Sequence, residues 1–202
     1  LPKKSGKIAK FQYRKQDVIR PGEGDGAYFW PAPQHAWNWP PPASFTDSTY
    51  AASVVDGELL LVGPANPASK LRVTKRFAID TVAKAVAVTY TTKNTATDSA
   101  RHFAPWEISR GYTGSLLFFP KASPFKFVNP SGSGLRPDMN LSKEDSIGWY
   151  LDDGKYKDNK VFRDGAEGWL AQLKDSLLFV KTYPDVDSAD FAPWESDVEV
   201  YT

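Results

Sequence analysis

No cysteine occurs in the 202 residues, which excludes disulfides, Cys-ligated zinc, iron–sulfur clusters and thiol nucleophiles together. Only two histidines are present, His35 and His102, too few for a multi-histidine metal site. Charge of one sign is missing too. Lysine and arginine number 25 against 24 aspartates and glutamates, so the net charge of +1 gives no global field for nucleic acid or an anionic membrane surface. No long uncharged apolar run offers a spanning helix. Helical patterning is scarce: Asp164 to Lys174 is predicted to form a turn or two, and Gly165 and Gly168 argue against more. Neither nucleic acid nor membrane is expected as a partner, and no cofactor or metal is expected.

What is abundant is aromatic and proline residues: seven Trp, nine Tyr, twelve Phe and sixteen Pro. This composition suits a β-rich scaffold better than a helical bundle. From Ser69 to Asn94 the period is two. Leu71, Val73, Phe77 and Ile79 fall on one face and Lys70, Arg72, Thr74 and Arg76 on the other, and Val82, Val86, Val88 and Tyr90 continue after Asp80-Thr81. Two long antiparallel strands are predicted, with one face on a core and the other wet or lining a groove. A hairpin is predicted near Lys7 to Ile19, and short strands at Glu58 to Val62, His102 to Ser109, Ser115 to Phe119, Gly148 to Leu151, Leu177 to Tyr183 and Val198 to Tyr201. The stretch from Pro21 to Pro42 reads as a structured loop, because its prolines oppose a helix or a central strand. Many short strands without alternating helices predict a single all-β, antiparallel sandwich domain over residues 1–202.

The ends carry their own expectations. The chain opens at Leu1 and its single methionine is Met139, so a preceding segment is expected; a cleaved signal peptide would make the protein periplasmic or secreted, and a fragment of a longer chain would account for the start equally well. At the other end Asp197 to Thr202 alternates like a strand with no turn after it, and more chain is expected to follow.

Trp30, Trp37, Trp39, Trp106, Trp149, Trp169 and Trp194 are too many indoles to be all core in a domain of this size. A flat indole offers an apolar platform to the C–H face of a pyranose while neighbouring polar groups bond its hydroxyls. Gln34, His35, Asn38, Glu107 and Arg110 are such neighbours of Trp30, Trp37, Trp39 and Trp106. The plainer alternative has Trp30 and Trp39, beside prolines, packing the loop onto the sandwich. A general acid or base near neutral pH would be His102 or His35, each of which also has a purely structural reading. Glu107, Glu195 and Glu199 stand beside aromatics or on patterned strands, but spacing does not bring any two carboxylates together.

Other patterns carry less. Gly22 to Gly26 lacks the Lys-Ser/Thr of a phosphate loop, Ser131 to Gly134 lacks the context of a nucleophile elbow, and Asp152-Asp153-Gly154 lacks calcium-loop spacing. The pentamer Phe103-Ala104-Pro105-Trp106-Glu107 recurs as Phe191-Ala192-Pro193-Trp194-Glu195, with no solenoid period around it.

Ser5-Gly6-Lys7-Ile8, the loop from Phe29-Trp30-Pro31-Ala32-Pro33-Gln34 to Trp39-Pro40-Pro41-Pro42, and Asn94 through Ala104-Pro105-Trp106-Glu107-Ile108-Ser109-Arg110 to Leu117-Phe118-Phe119-Pro120 together resemble the galactose-mutarotase-like superfamily of aldose 1-epimerase relatives. Val198 to Thr202 resembles a fourth segment. The resemblance implies an antiparallel supersandwich whose concave face binds a sugar, incomplete here at its C-terminus. In enzymatic relatives a histidine and a glutamate open and reclose the sugar ring. His102 lies near that histidine's place without the usual pattern around it, and Glu199 is a poor stand-in for the glutamate. A carbohydrate-binding protein is therefore the first expectation, an epimerase the second, and a structural or interaction domain the third.

Overall fold

Period-two patterning broken by Gly, Pro, Asn and Asp yields, in a computed structural model of the chain, an all-β protein of antiparallel sheets. The structure describes residues 6–22, 24–122, 127–128, 139–140, 145–155, 160–191 and 196–201. In chain order the strands are β1 (Gln12–Tyr13), β2 (Gln16–Asp17), β3 (Ala27–Ala32), β4 (Ala51–Val55), β5 (Glu58–Val62), β6 (Leu71–Asp80), β7 (Ala85–Asn94) and β8 (Ala104–Ser109). They continue as β9 (Ser115–Pro120), β10 (Phe127–Val128), β11 (Met139–Asn140), β12 (Ile147–Asp152), β13 (Lys160–Arg163), β14 (Trp169–Lys174), β15 (Leu177–Thr182) and β16 (Val198–Tyr201). A short helix, α1 (Ala43–Thr46), and 3-10 turns at Gln34–Ala36 and Ser188–Asp190 complete the described elements. The chain divides into two compact units: Leu1–Phe11 with Pro21–Arg110, and Gln12–Arg20 with Gly111–Thr202.

The first unit holds a four-stranded sheet, β4-β5-β6-β7, and a two-stranded ribbon, β3-β8. Asp56 and Gly57, both at positive φ, make the tight β4–β5 turn that suits the twist of a hairpin. The β6–β7 hairpin pairs without a break from Leu71 opposite Asn94 to Asp80 opposite Ala85, as the period-two reading requires. Its turn is fastened by the Asp80 carboxylate, which accepts from the backbone N–H groups of Val82 and Ala83. Alternation lines Leu71, Val73, Lys75, Phe77 and Ile79 along one face. Leu71 and Val73 are buried with Phe29, Trp30 and Phe45, whereas Ile79 at the far end is open.

The ribbon corrects the reading of Pro21 to Pro42 as loop throughout. Ala27–Ala32 is a fully buried strand with Pro31 inside it. Pro31 stands opposite Pro105 in a two-stranded ribbon, so an imino nitrogen is tolerated there as it would not be mid-sheet. The remainder of the stretch is the loop expected.

The second unit holds a five-stranded sheet, β11-β12-β9-β14-β15, a three-stranded sheet, β10-β13-β16, and the small β1-β2 hairpin. Phe119 and Tyr150 from the larger sheet meet Val198 and Val200 from the smaller one in a sandwich-like core. Strands stand where the pattern placed them at Ser115, Gly148, Leu177 and Val198. The helical turns expected over Asp164 to Lys174 are replaced by β14, with Gly168 at positive φ providing the turn before it. The repeated pentamer's second copy, from Ala192 on, lies outside the described residues, and Trp194 and Glu195 with it.

Asp197 sits beside this core with one carboxylate oxygen accepting from Gly165 N–H at 2.8 Å and the other buried without a hydrogen-bond donor among the described residues. Burial pushes its carboxyl up to about 6; the Gly165 bond opposes this, and the charges of Asp164 and Asp185 add to it. Between the ordinary carboxylate value and about 6 the folded chain therefore holds a proton that the unfolded chain has lost, and stability falls as pH rises through that window. Asp197→Asn, which keeps an acceptor for Gly165, is expected to melt higher than wild type at about pH 7.5 and level with it near pH 4. Thermal melts at both values check this; a variant less stable at both would overturn it.

Candidate functional site

Strand register decides which aromatics meet. Trp30 on β3 is directly opposite Trp106 on β8, and their rings meet edge to face at 5.3 Å between centroids. The loop after β3 then folds two more indoles onto the same ring. Trp37 and Trp39 each lie 6.0 Å from Trp30, edge on, and Trp37 is 6.4 Å from Trp106. The Trp37 indole N–H is anchored on the Pro31 carbonyl at 2.6 Å, fixing the loop to the strand it leaves. Trp30 at the centre is only 7% exposed, while Trp39 at the rim is 66% exposed. The buried Trp30 N–H finds no acceptor among the described residues.

Around this cluster stand several of the residues singled out in the sequence. Gln34 and His35 form the 3-10 turn after β3, with His35 exposed, and Asn38 is exposed at a positive φ between the two loop indoles. Arg110 follows β8 with its N–H bonded to the Gly26 carbonyl, and alternation gives it the parity of Trp106 and Ile108. His102 is exposed just before β8. Glu199 belongs to the second unit, on β16 opposite Phe162. Glu107 is not with the indoles. Next to Trp106 on an extended strand, it faces the opposite side of the ribbon, in register with Phe29.

That opposite side carries a second cluster, which sequence reasoning missed. Phe29 stacks on Tyr90 of β7 at 4.3 Å, and Lys75 of β6 is directly opposite Tyr90. Lys75 is 2% exposed, so its ammonium is buried. It donates to the Gly6 carbonyl at 3.2 Å and lies 5.3 Å and 6.0 Å from the ring centres of Tyr50 and Tyr90. Tyr50 in turn donates to the Ser44 carbonyl at 3.1 Å, and its ring presses against Gly63, where a Cβ would come within 2.6 Å of it. Burial lowers the Lys75 ammonium to about 8, and the charge of Glu107 opposes that shift. Burial pushes Tyr50 up to about 12, and burial with the charge of Glu107 raises Tyr90.

Comparison with family models, with curated proteins and with solved structures finds no match. The chemistry must therefore be taken from the two clusters themselves. The indole cluster has an open ring and exposed polar neighbours. The lysine cluster is closed, and among the described residues its charged groups face one another across the ribbon–sheet contact. Three or more His, Asp or Glu side chains placed to hold a metal ion do not occur among the described residues.

A buried lysine of this kind leaves a signature in the alkaline range. Between about 8 and 10.5 the unfolded chain binds a proton at this lysine that the folded chain has released, so stability rises with pH there, by up to about 3 kcal/mol over the whole window. Above about 10 the raised tyrosines act in the opposite sense, holding protons that the unfolded chain loses. Urea midpoints are therefore expected to climb from about pH 7.5 to 9.5 in wild type and to stay flat in Lys75→Met. A wild-type midpoint that stays flat over this interval would show the ammonium to be well solvated.

Proposed function

We propose that the protein binds a carbohydrate at the four-indole cluster, with Trp39 as the platform. The observation that carries this reading is the exposure of that ring, 66%, edge-on against Trp30, which Trp37 and Trp106 pack in turn. An indole held edge-on by a buried neighbour is pre-oriented, so stacking a pyranose on it costs little ordering entropy. Asn38, Gln34 and His35 supply donors and acceptors beside the ring for hydroxyl groups. The resemblance of these same segments to galactose-mutarotase-like proteins supports the ligand class.

Titration of the protein with hexoses and short oligosaccharides, followed by tryptophan fluorescence, tests the reading. Trp39→Ala is expected to weaken binding about tenfold or more, equivalent to about 1.4 kcal/mol, with circular dichroism unchanged. Trp30→Ala is expected instead to destabilise the fold. Unaltered affinity in the Trp39 variant, or no response to any sugar, would overturn the assignment. Accelerated anomer interconversion in the same samples would mark an epimerase.

A further inference from the structure

The four-stranded sheet is only half covered. On the face that carries Leu71, Val73 and Lys75, burial stops after the row formed by Leu61, Lys75 and Tyr90. The next row across the sheet is Val54, Leu59, Phe77 and Val88, and beyond it lie Ile79 and Val86. Val54 is 73% exposed and Ile79 79%, with Leu59 and Val86 also open. The other face of the same hairpin is polar, with Arg72, Thr74 and Arg76 beside Lys93, Thr91 and Thr89.

β7 is also the last strand of this sheet, so one side of its backbone has no strand partner among the described residues. Edge strands in soluble proteins are normally kept short or carry a lysine, a proline or a bulge that blocks further pairing. β7 is ten residues long, and from Ala85 to Thr92 it contains no charge, no proline and no glycine. β4, at the other edge, has only five residues and is followed by Asp56.

We propose that β7 pairs antiparallel with β7 of a second copy of this chain, about a two-fold axis at Val88. The occupant follows from the pattern of the strand. With the axis at Val88, that residue meets its own copy and Val86 meets Tyr90, so every apolar side chain of β7 on the open face is opposite an apolar one. On the polar face Ala87 meets Thr89 and Ala85 meets Thr91. Lys84 and Lys93 fall opposite Thr92 and Ala83, so no like charges are apposed. The two four-stranded sheets become one of eight, and the row Val54, Leu59, Phe77, Val88 continues into its copy without a polar interruption. A closed isologous contact also consumes both open edges, which leaves no template for further growth at β7.

Because residue 88 meets itself at the axis, charge there reads out both the partner and the register. Sedimentation of the full chain up to about 200 µM, enough to populate a weak strand-pairing dimer, is expected to show a monomer–dimer equilibrium. Val88→Lys and Val88→Glu are each expected to sediment as monomers, since like charges face each other across the axis. Their equimolar mixture is expected to recover the dimer. Circular dichroism and melting of each variant show that it is folded. A monomeric wild type, a dimer that persists in both charged variants of Val88 and so uses another edge, or open-ended oligomers would overturn the proposal.

Discussion

Because Trp30 stands opposite Trp106 and Phe29 opposite Glu107, one two-stranded ribbon commits its side chains to two unlike environments at once. Cross-strand pairs are the unit in which a sheet is stabilised, and here each pair is also the seed of a cluster. On one side the Trp30–Trp106 contact gives Trp37 and Trp39 a surface to lean on. On the other side Phe29 reaches Tyr90, and Glu107 brings a negative charge to a buried ammonium. A slip of one residue in this register would exchange the faces, placing a carboxylate among indoles and an indole against Lys75. The register is thus constrained by both clusters, each of which would be ruined by the other's side chains.

A buried ammonium is costly, and Lys75 is tolerated because several weak partners surround it. Gly6 offers a carbonyl, Tyr50 and Tyr90 offer ring faces, and Glu107 offers opposite charge. None of these alone offsets desolvation, which is why the ammonium's affinity for its proton stays below the ordinary lysine value. The carbonyl of Gly6 is 69 residues away in sequence, so the lysine also ties the first described residue to the middle of the sheet. Its cost in stability is set against that long-range fastening.

How much of this was legible in the sequence follows from the same alternation. The β6–β7 hairpin was readable because ten residues per strand repeat one pattern, and the shorter strands at Glu58, Ser115, Leu177 and Val198 were readable for the same reason. β3 was hidden because its proline suggests a loop, and only its pairing with another proline-bearing strand makes the exception acceptable. β14 was hidden by Gly165 and Gly168, which weaken any local signal; Gly168 shapes the turn before it. Lys75 was within reach: it has the parity of Leu71, Val73, Phe77 and Ile79, and a charge at an apolar position is the mark of a buried site. Glu107 was within reach too, since a residue next to Trp106 on a strand faces away from it. The convergence of Trp37 and Trp39 on Trp30 was not, because loop conformation over so many prolines is set by contacts that no period encodes.

The two apolar surfaces left open on the first unit differ in kind, and the difference suits them to different partners. Trp39 is a single exposed ring in a loop that also carries amide and imidazole groups, a surface that suits a ligand offering both C–H and polar groups. The far half of the sheet is aliphatic, several residues wide, and bordered by an open backbone edge. A saccharide would bury its hydroxyls there without acceptors, at a cost that aliphatic contact does not recover. Another strand satisfies the edge and covers the aliphatic rows in the same step, since its side chains alternate at the same spacing. The local density of hydrogen-bonding groups thus suits the indole cluster to a small polar ligand and the sheet's edge to a strand.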